Sequence, residues 1–144
     1  MKALTIMQPW ASLIACGAKK FETRTWSTKY RGQVAIHAGL KAAYEFDNET
    51  CRAISSAFKD YAEIEDLPGF IRELPHGAFI AIAELVDCQP TNHLNPSEAE
   101  YLFGDWTPGR YAWEFINVRR FQVPIPTRGF QGLWNWDNGG LEND

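Results

Sequence analysis

Long apolar runs are missing from this 144-residue chain. The longest, Gly77 to Val86, is interrupted by Glu84, and a membrane-spanning helix needs roughly 20 apolar residues. Only five residues separate Lys2 from Gln8, which is short of the about 7–15 of a secretory h-region. Cysteine is scarce and odd in number: Cys16, Cys51 and Cys88 stand far apart with no CxxC. The three histidines, His37, His76 and His93, show no ligand spacing. A disulfide framework and a structural zinc site are therefore not expected, and a reducing cytosol is the simplest compartment. No cofactor and no metal is called for. Ser12 lacks a GxSxG context, and Cys16, on the same stretch, reads as a small core residue.

Charge is not lacking, but it is unevenly spread. The chain carries 14 Lys and Arg against 18 Asp and Glu, a net −4. Gly17 to Lys41 holds six cations and one acid, Ala42 to Gly109 holds thirteen acids and three cations, and Arg110 to Arg128 holds four arginines and one acid. Distant charge is screened beyond about 8 Å at physiological salt, so the two basic stretches keep nucleic acid open as a ligand. Solvated faces are the plain alternative. Hydrophobic residues at 45% exclude disorder, and one compact domain is expected over 1–144, with a core over 1–136 and a polar tail over 137–144. Six tryptophans are many for one core of this size.

The periodicity predicts a strand over Ala3 to Ile6, then a helix from Pro9 with Trp10, Leu13, Ile14 and Gly17 on one face and Gly17 as its stop. Lys20 to Trp26 alternates, placing Lys20, Glu22, Arg24 and Trp26 together. Further strands are expected over Gln33 to His37, Ala78 to Cys88 and Tyr111 to Val123, the last ended by Pro124 and Pro126. Leu40 to Glu65 reads as a polar helix, Pro68 to Leu74 as another, and Asn95-Pro96-Ser97-Glu98 opens a third. Gly129 to Trp136 is a return in which one of Trp134 and Trp136 is expected in the core and the other as a stacking platform. The class is α+β, a small mixed barrel with helices inserted between strands.

The informative face holds Glu22, Arg24 and Trp26. Charges beside a large aromatic fit a wet cleft floored by a ring. They also fit an exposed strand whose ion pair contributes about 0–1 kcal/mol. His37, at a strand end, is a candidate general acid or base or a hydrogen-bonded histidine beside that cleft.

Gly17, Lys19, Glu22 and Arg24 match G-x-K-x-x-E-x-R, with Gln8-Pro9-Trp10-Ala11-Ser12-Leu13 before it and Trp26, Arg31-Gly32 and Ile36-His37-Ala38 after. Together with Gly109 to Trp113 and Pro124 to Trp134, these blocks closely resemble the ASCH domain, the activating signal cointegrator homology family. The resemblance implies a PUA-like β-barrel with a cleft beside the first helix. It implies binding of RNA or another single-stranded nucleic acid there, with RNA the expected form. Lys19, Arg24 and Arg31 would meet phosphates or base edges, Trp10 or Trp26 would stack on a base, Glu22 would hold Arg24 or accept from an exocyclic amine, and His37 would lie beside them. The alternative it implies is a hydrolase of RNA or of a nucleoside-like small molecule in the same cleft, with Lys19, Glu22 and Arg24 as its catalytic groups. One bacterial subgroup hydrolyses acetylated cytidine with the motif lysine and a threonine, where this chain has Glu22, and some longer members are ribonucleases.

Overall fold

The structure, a computed structural model, describes residues 1–137. Apart from Asp137, the polar tail expected over 137–144 lies outside the described residues. Strand β1 (Lys2–Gln8) leads into helix α1 (Trp10–Ala15), then β2 (Phe21–Arg24) and β3 (Gly32–Ala42). Two helices, α2 (Asn48–Ala57) and α3 (Leu67–Glu73), precede β4 (Ala78–Pro90). Helix α4 (Glu98–Leu102), β5 (Tyr111–Pro126) and β6 (Leu133–Asn135) complete the described chain.

All six strands lie in one sheet, in the order β2-β5-β4-β3-β1-β6. β1 and β3 run parallel, with Leu4 opposite Ile36 and Thr5 opposite His37. The chain between them, through α1 and β2, is long enough for the crossover a parallel pair needs. The remaining pairs are antiparallel. The expected barrel does not form: β2 and β6 are the two edges of an open sheet and do not pair with each other. β4 and β5 carry three register shifts along their shared ladder, and such bulges bend strands. Here the bending stops short of closure.

Alternation along β1 divides the apolar residues between two faces. Leu4 and Ile6 point to the side covered by α1, where they join Val34, Ile36, Leu85, Trp113 and Phe115 in the main core. Ala3 points the other way, with Ala35 and Phe79, and is covered by Trp134 and Trp136. Helix α1 is buried on both flanks. Its Ile14 belongs to the main core, while Leu13 joins Ile54, Phe58, Ile71 and Phe103 of the helical layer. Each such fully buried aliphatic side chain contributes about 1.5–3 kcal/mol. Gln8 secures the start of α1, its Oε1 accepting from the Ser12 amide at 3.0 Å and its Nε2 donating to Ser12 Oγ at 2.8 Å. Gly17, at φ +85°, ends α1 in the left-handed conformation expected of a helix stop.

The polar stretch from Leu40 to Glu65 is helical only over Asn48–Ala57, because β3 runs on to Ala42 and Asp47 then caps α2 by accepting from the Thr50 amide at 2.7 Å. β5 passes through Pro124 and Pro126 and does not stop before them. β2 pairs with β5 only as far as Glu114, so beyond it β5 has one unpaired edge where a missing N–H costs no ladder bond. At the ends of β1 and β6, the Met1 ammonium donates to the Trp136 carbonyl at 3.1 Å and the Trp136 amide donates to the Met1 carbonyl at 2.8 Å.

Candidate functional site

The turn that ends α1 and the strand that follows it set the charged groups of the motif. Lys19 is buried, with 1% of its surface exposed. Its Nζ donates to the Phe103 carbonyl at 2.8 Å, lies 3.9 Å from Glu22 Oε1 and stands 5.9 Å over the Trp10 ring. It therefore ties the end of α1 to the end of α4. Burial pushes the Lys19 ammonium below the ordinary lysine range, against the opposing pull of the Glu22 and Glu100 carboxylates. Glu22 is buried as well, and its Oε2 accepts from Arg24 Nε at 3.0 Å. The Arg24 fork is completed by Nη2, which donates to the Thr5 carbonyl of β1 at 2.7 Å.

These residues edge a cleft of about 400 Å³ between β1, α1, β2 and the turn after α4. Trp10, Glu22, Arg24, Asp105 and Arg110 are among the residues that line it. Arg110 donates from Nε to the Asp105 carbonyl and from Nη2 to the Thr23 carbonyl, both at 3.1 Å, and its Nε lies 3.6 Å from Asp105 Oδ2. Hydrogen bonds from Thr107 hold the Asp105 carboxyl below its usual range. The cleft is thus rimmed by two cations and two carboxylates, each cation matched by an acid. The fixed geometry presents both donors and acceptors beside an aromatic wall.

Of the residues singled out in the sequence, Trp10, Glu22 and Arg24 line this cleft. Lys19 sits behind them, sealed by its burial. Trp26 is turned away: it packs edge-on against Trp113 with ring centroids 4.7 Å apart, and its carbonyl accepts from Trp113 Nε1. Arg31 is exposed at the start of β3, where it donates to the Thr28 and Tyr30 carbonyls and lies 3.8 Å from Asp87. His37 is buried with both ring nitrogens engaged, Nδ1 at 3.2 Å from Thr5 Oγ1 and Nε2 at 2.7 Å from the Thr127 carbonyl. A carbonyl only accepts, so Nε2 carries the proton and Nδ1 accepts from the Thr5 hydroxyl. Cys16 is half-buried beside Leu13, and burial pushes its thiol up. Trp134 and Trp136 both pack on Phe79, so neither is the free platform expected of one of them.

Thr23, Asp105 and Arg110 were not singled out from the sequence as site residues. The one signal that pointed toward them was Gly109-Arg110, which opens the second block of family-like residues. A side chain that acts through its neighbour's backbone leaves no periodic trace.

No helix among the described residues is long and apolar enough to cross a membrane. The profile of the ASCH domain matches residues 4–125. The chain is 24% identical over 135 residues to human activating signal cointegrator 1, and 27% identical over 138 residues to the mouse protein of that name. Each alignment takes in 94% of this chain and 22% of the relative, so the chain spans about a fifth of the length of these curated relatives. With the profile running from β1 into the end of β5, over most of the described residues, the chain belongs to the ASCH domain family.

Proposed function

We propose that this protein binds single-stranded nucleic acid, RNA in the first place, by taking a base into the cleft beside α1. The observation that carries the reading is the pairing of an aromatic wall, Trp10, with a rim of fixed donors and acceptors, Arg24, Arg110, Glu22 and Asp105. Unstacked bases are recognised by that combination: a ring against the π-face, and charged forks or carboxylates on the base edge. The volume of about 400 Å³ falls within the span of small-ligand sites. Lys19 acts as a positioning residue in this scheme. It holds Glu22, Trp10 and the Phe103 carbonyl together and does not itself meet a phosphate.

The test is a titration of a labelled single-stranded RNA with wild type, Arg24→Ala and Lys59→Ala. Arg24→Ala is expected to weaken binding by about 1.5–3 kcal/mol, since a charge-assisted donor and the partner of Glu22 go together. Lys59, exposed after α2, is expected to change nothing. Equal losses in the two variants, or no binding by wild type at low salt, would overturn the reading. Mass spectrometry of the recovered RNA is expected to find it intact, and cleavage that Lys19→Ala abolishes would favour a hydrolase instead.

A further inference from the structure

A second hollow, of about 630 Å³, adjoins the cleft. Thr5 and Met7 line both, so the hollow begins where the cleft ends, along the outer side of β1. His37 is among the residues that line it, and Lys41, at the end of β3, joins Arg128 and Phe130, on the return toward β6.

The two spaces differ in charge. Both arginines of the cleft are matched by carboxylates. The hollow is lined by two cations, Lys41 and Arg128, and by no acid. The Lys41 side chain has no hydrogen bond or ion pair among the described residues, and the contact the Arg128 side chain makes there is with a ring: its guanidinium lies 5.7 Å from the Phe130 centroid. Phe130 itself is 54% exposed, steadied by an edge-on contact with Trp134 at 5.1 Å. Unpaired cations beside an exposed ring fit a ligand that brings both an anion and a flat π-face.

The wall of the hollow is fixed before any ligand arrives. Trp134 Nε1 donates to Thr5 Oγ1 at 3.2 Å, the Thr5 hydroxyl donates to His37 Nδ1, and His37 Nε2 donates to the Thr127 carbonyl. Arg24 donates to the carbonyl of the same Thr5. One residue thus links the cleft's arginine to the wall of the hollow. Gly129 presses its backbone onto this relay, with room for no side chain: a Cβ there would lie 2.6 Å from His37 Cε1.

We propose that the hollow is a second nucleotide subsite, in which the base neighbouring the one in the cleft stacks on Phe130 and its phosphate lies between Lys41 and Arg128. The proposal rests on the nucleic-acid reading of the cleft and adds where the strand continues and where its charge is met. An acidic peptide would satisfy the two cations but would leave Phe130 without a stacking partner, so nucleic acid is the better fit.

The experiment uses a fluorescein-labelled adenylate RNA hexamer, and separately adenosine, against wild type, Lys41→Ala/Arg128→Ala, Phe130→Ala, Phe130→Tyr and Arg24→Ala at several salt concentrations. All three hollow residues are exposed, so the variants are expected to melt as wild type does. The double variant is expected to lower the slope of log K against log salt by about 0.7, the share of the one phosphate held between the two cations. Phe130→Ala is expected to weaken the hexamer roughly five- to hundredfold, and Phe130→Tyr to stay within about twofold of wild type. Adenosine, which reaches the cleft alone, is expected to bind wild type, the double variant and Phe130→Ala alike. An unchanged slope and unchanged hexamer affinity, with Arg24→Ala still defective, would overturn the second subsite and leave the cleft standing. No hexamer binding by wild type would overturn the cleft reading and the subsite with it. Displacement of the hexamer by poly-glutamate at equal charge concentration would overturn the subsite in favour of an acidic-peptide surface.

Discussion

An ammonium group withdrawn from water must be repaid by its neighbours, and Lys19 shows how: a carbonyl, a carboxylate and a ring surround it. Removing it leaves Glu22 short of a partner and Phe103 without its donor. Lys19→Ala is therefore expected to destabilise the fold by about 3 kcal/mol, and Lys19→Met, which keeps the volume and removes the charge, by less. Urea midpoints at constant m-value measure both. Glu100 carries a different signature. Its carboxylate accepts from the Lys20 amide at 2.7 Å, yet burial holds its proton above the ordinary value of 4.5, against the pull of Lys19 and Lys20. A raised folded value means stability that is fully present below the unfolded value and is lost as pH rises through the folded one. The stability of wild type minus that of Glu100→Gln is thus expected to fall as pH rises from about 4.5, in urea unfolding between pH 4 and 7. A flat or rising difference would contradict it.

Elements were legible where one residue type dictates them. Gly17 stopped α1, Ser97 capped α4, and the apolar run after Gly77 formed β4. They were not legible where a neighbouring element decides. The helix expected across Leu40 to Glu65 lost its first residues to β3, whose end is held extended by β1 through the pairing of Ala42 with Gln8, and β5 kept its prolines because no strand lies on that edge. The alternation that grouped Glu22, Arg24 and Trp26 failed at Trp26, which lies two residues past the end of β2, where the period no longer applies. The return before β6 can be probed in the same terms. In Gly129→Ala the new methyl meets His37 Cε1 at 2.6 Å and Thr5 Oγ1 at 2.7 Å, and His37 is held at both nitrogens and has no room to yield. A loss of about 1–3 kcal/mol is expected, the usual range for overpacking, read as a lowered thermal midpoint.

At the scale of the whole molecule, the net charge of −4 conceals opposed regions: the stretch from Ala42 to Gly109 carries thirteen acids against three cations. A long polyanion that extends past the cleft and the hollow meets a molecule of net negative charge, so added length is expected to bring repulsion in place of contacts. Affinity for single-stranded RNA is expected to stop rising beyond about four nucleotides, the low end of site sizes for small single-strand binders. A series from dimer to dodecamer measures it, and steady growth with length would refute it. The open sheet was the feature least visible in the sequence, since closure depends on how far β4 and β5 bend at their register shifts, which no local pattern records. The pairing of Met1 with Trp136 has a consequence for architecture. A polypeptide that runs into β1 and out of β6 enters and leaves the domain at one spot. Such a unit can be spliced into a surface turn of a host protein as a bead is threaded on a string, its sheet and groove undisturbed. That geometry suits a domain whose relatives carry the matching segment as 22% of a much longer chain.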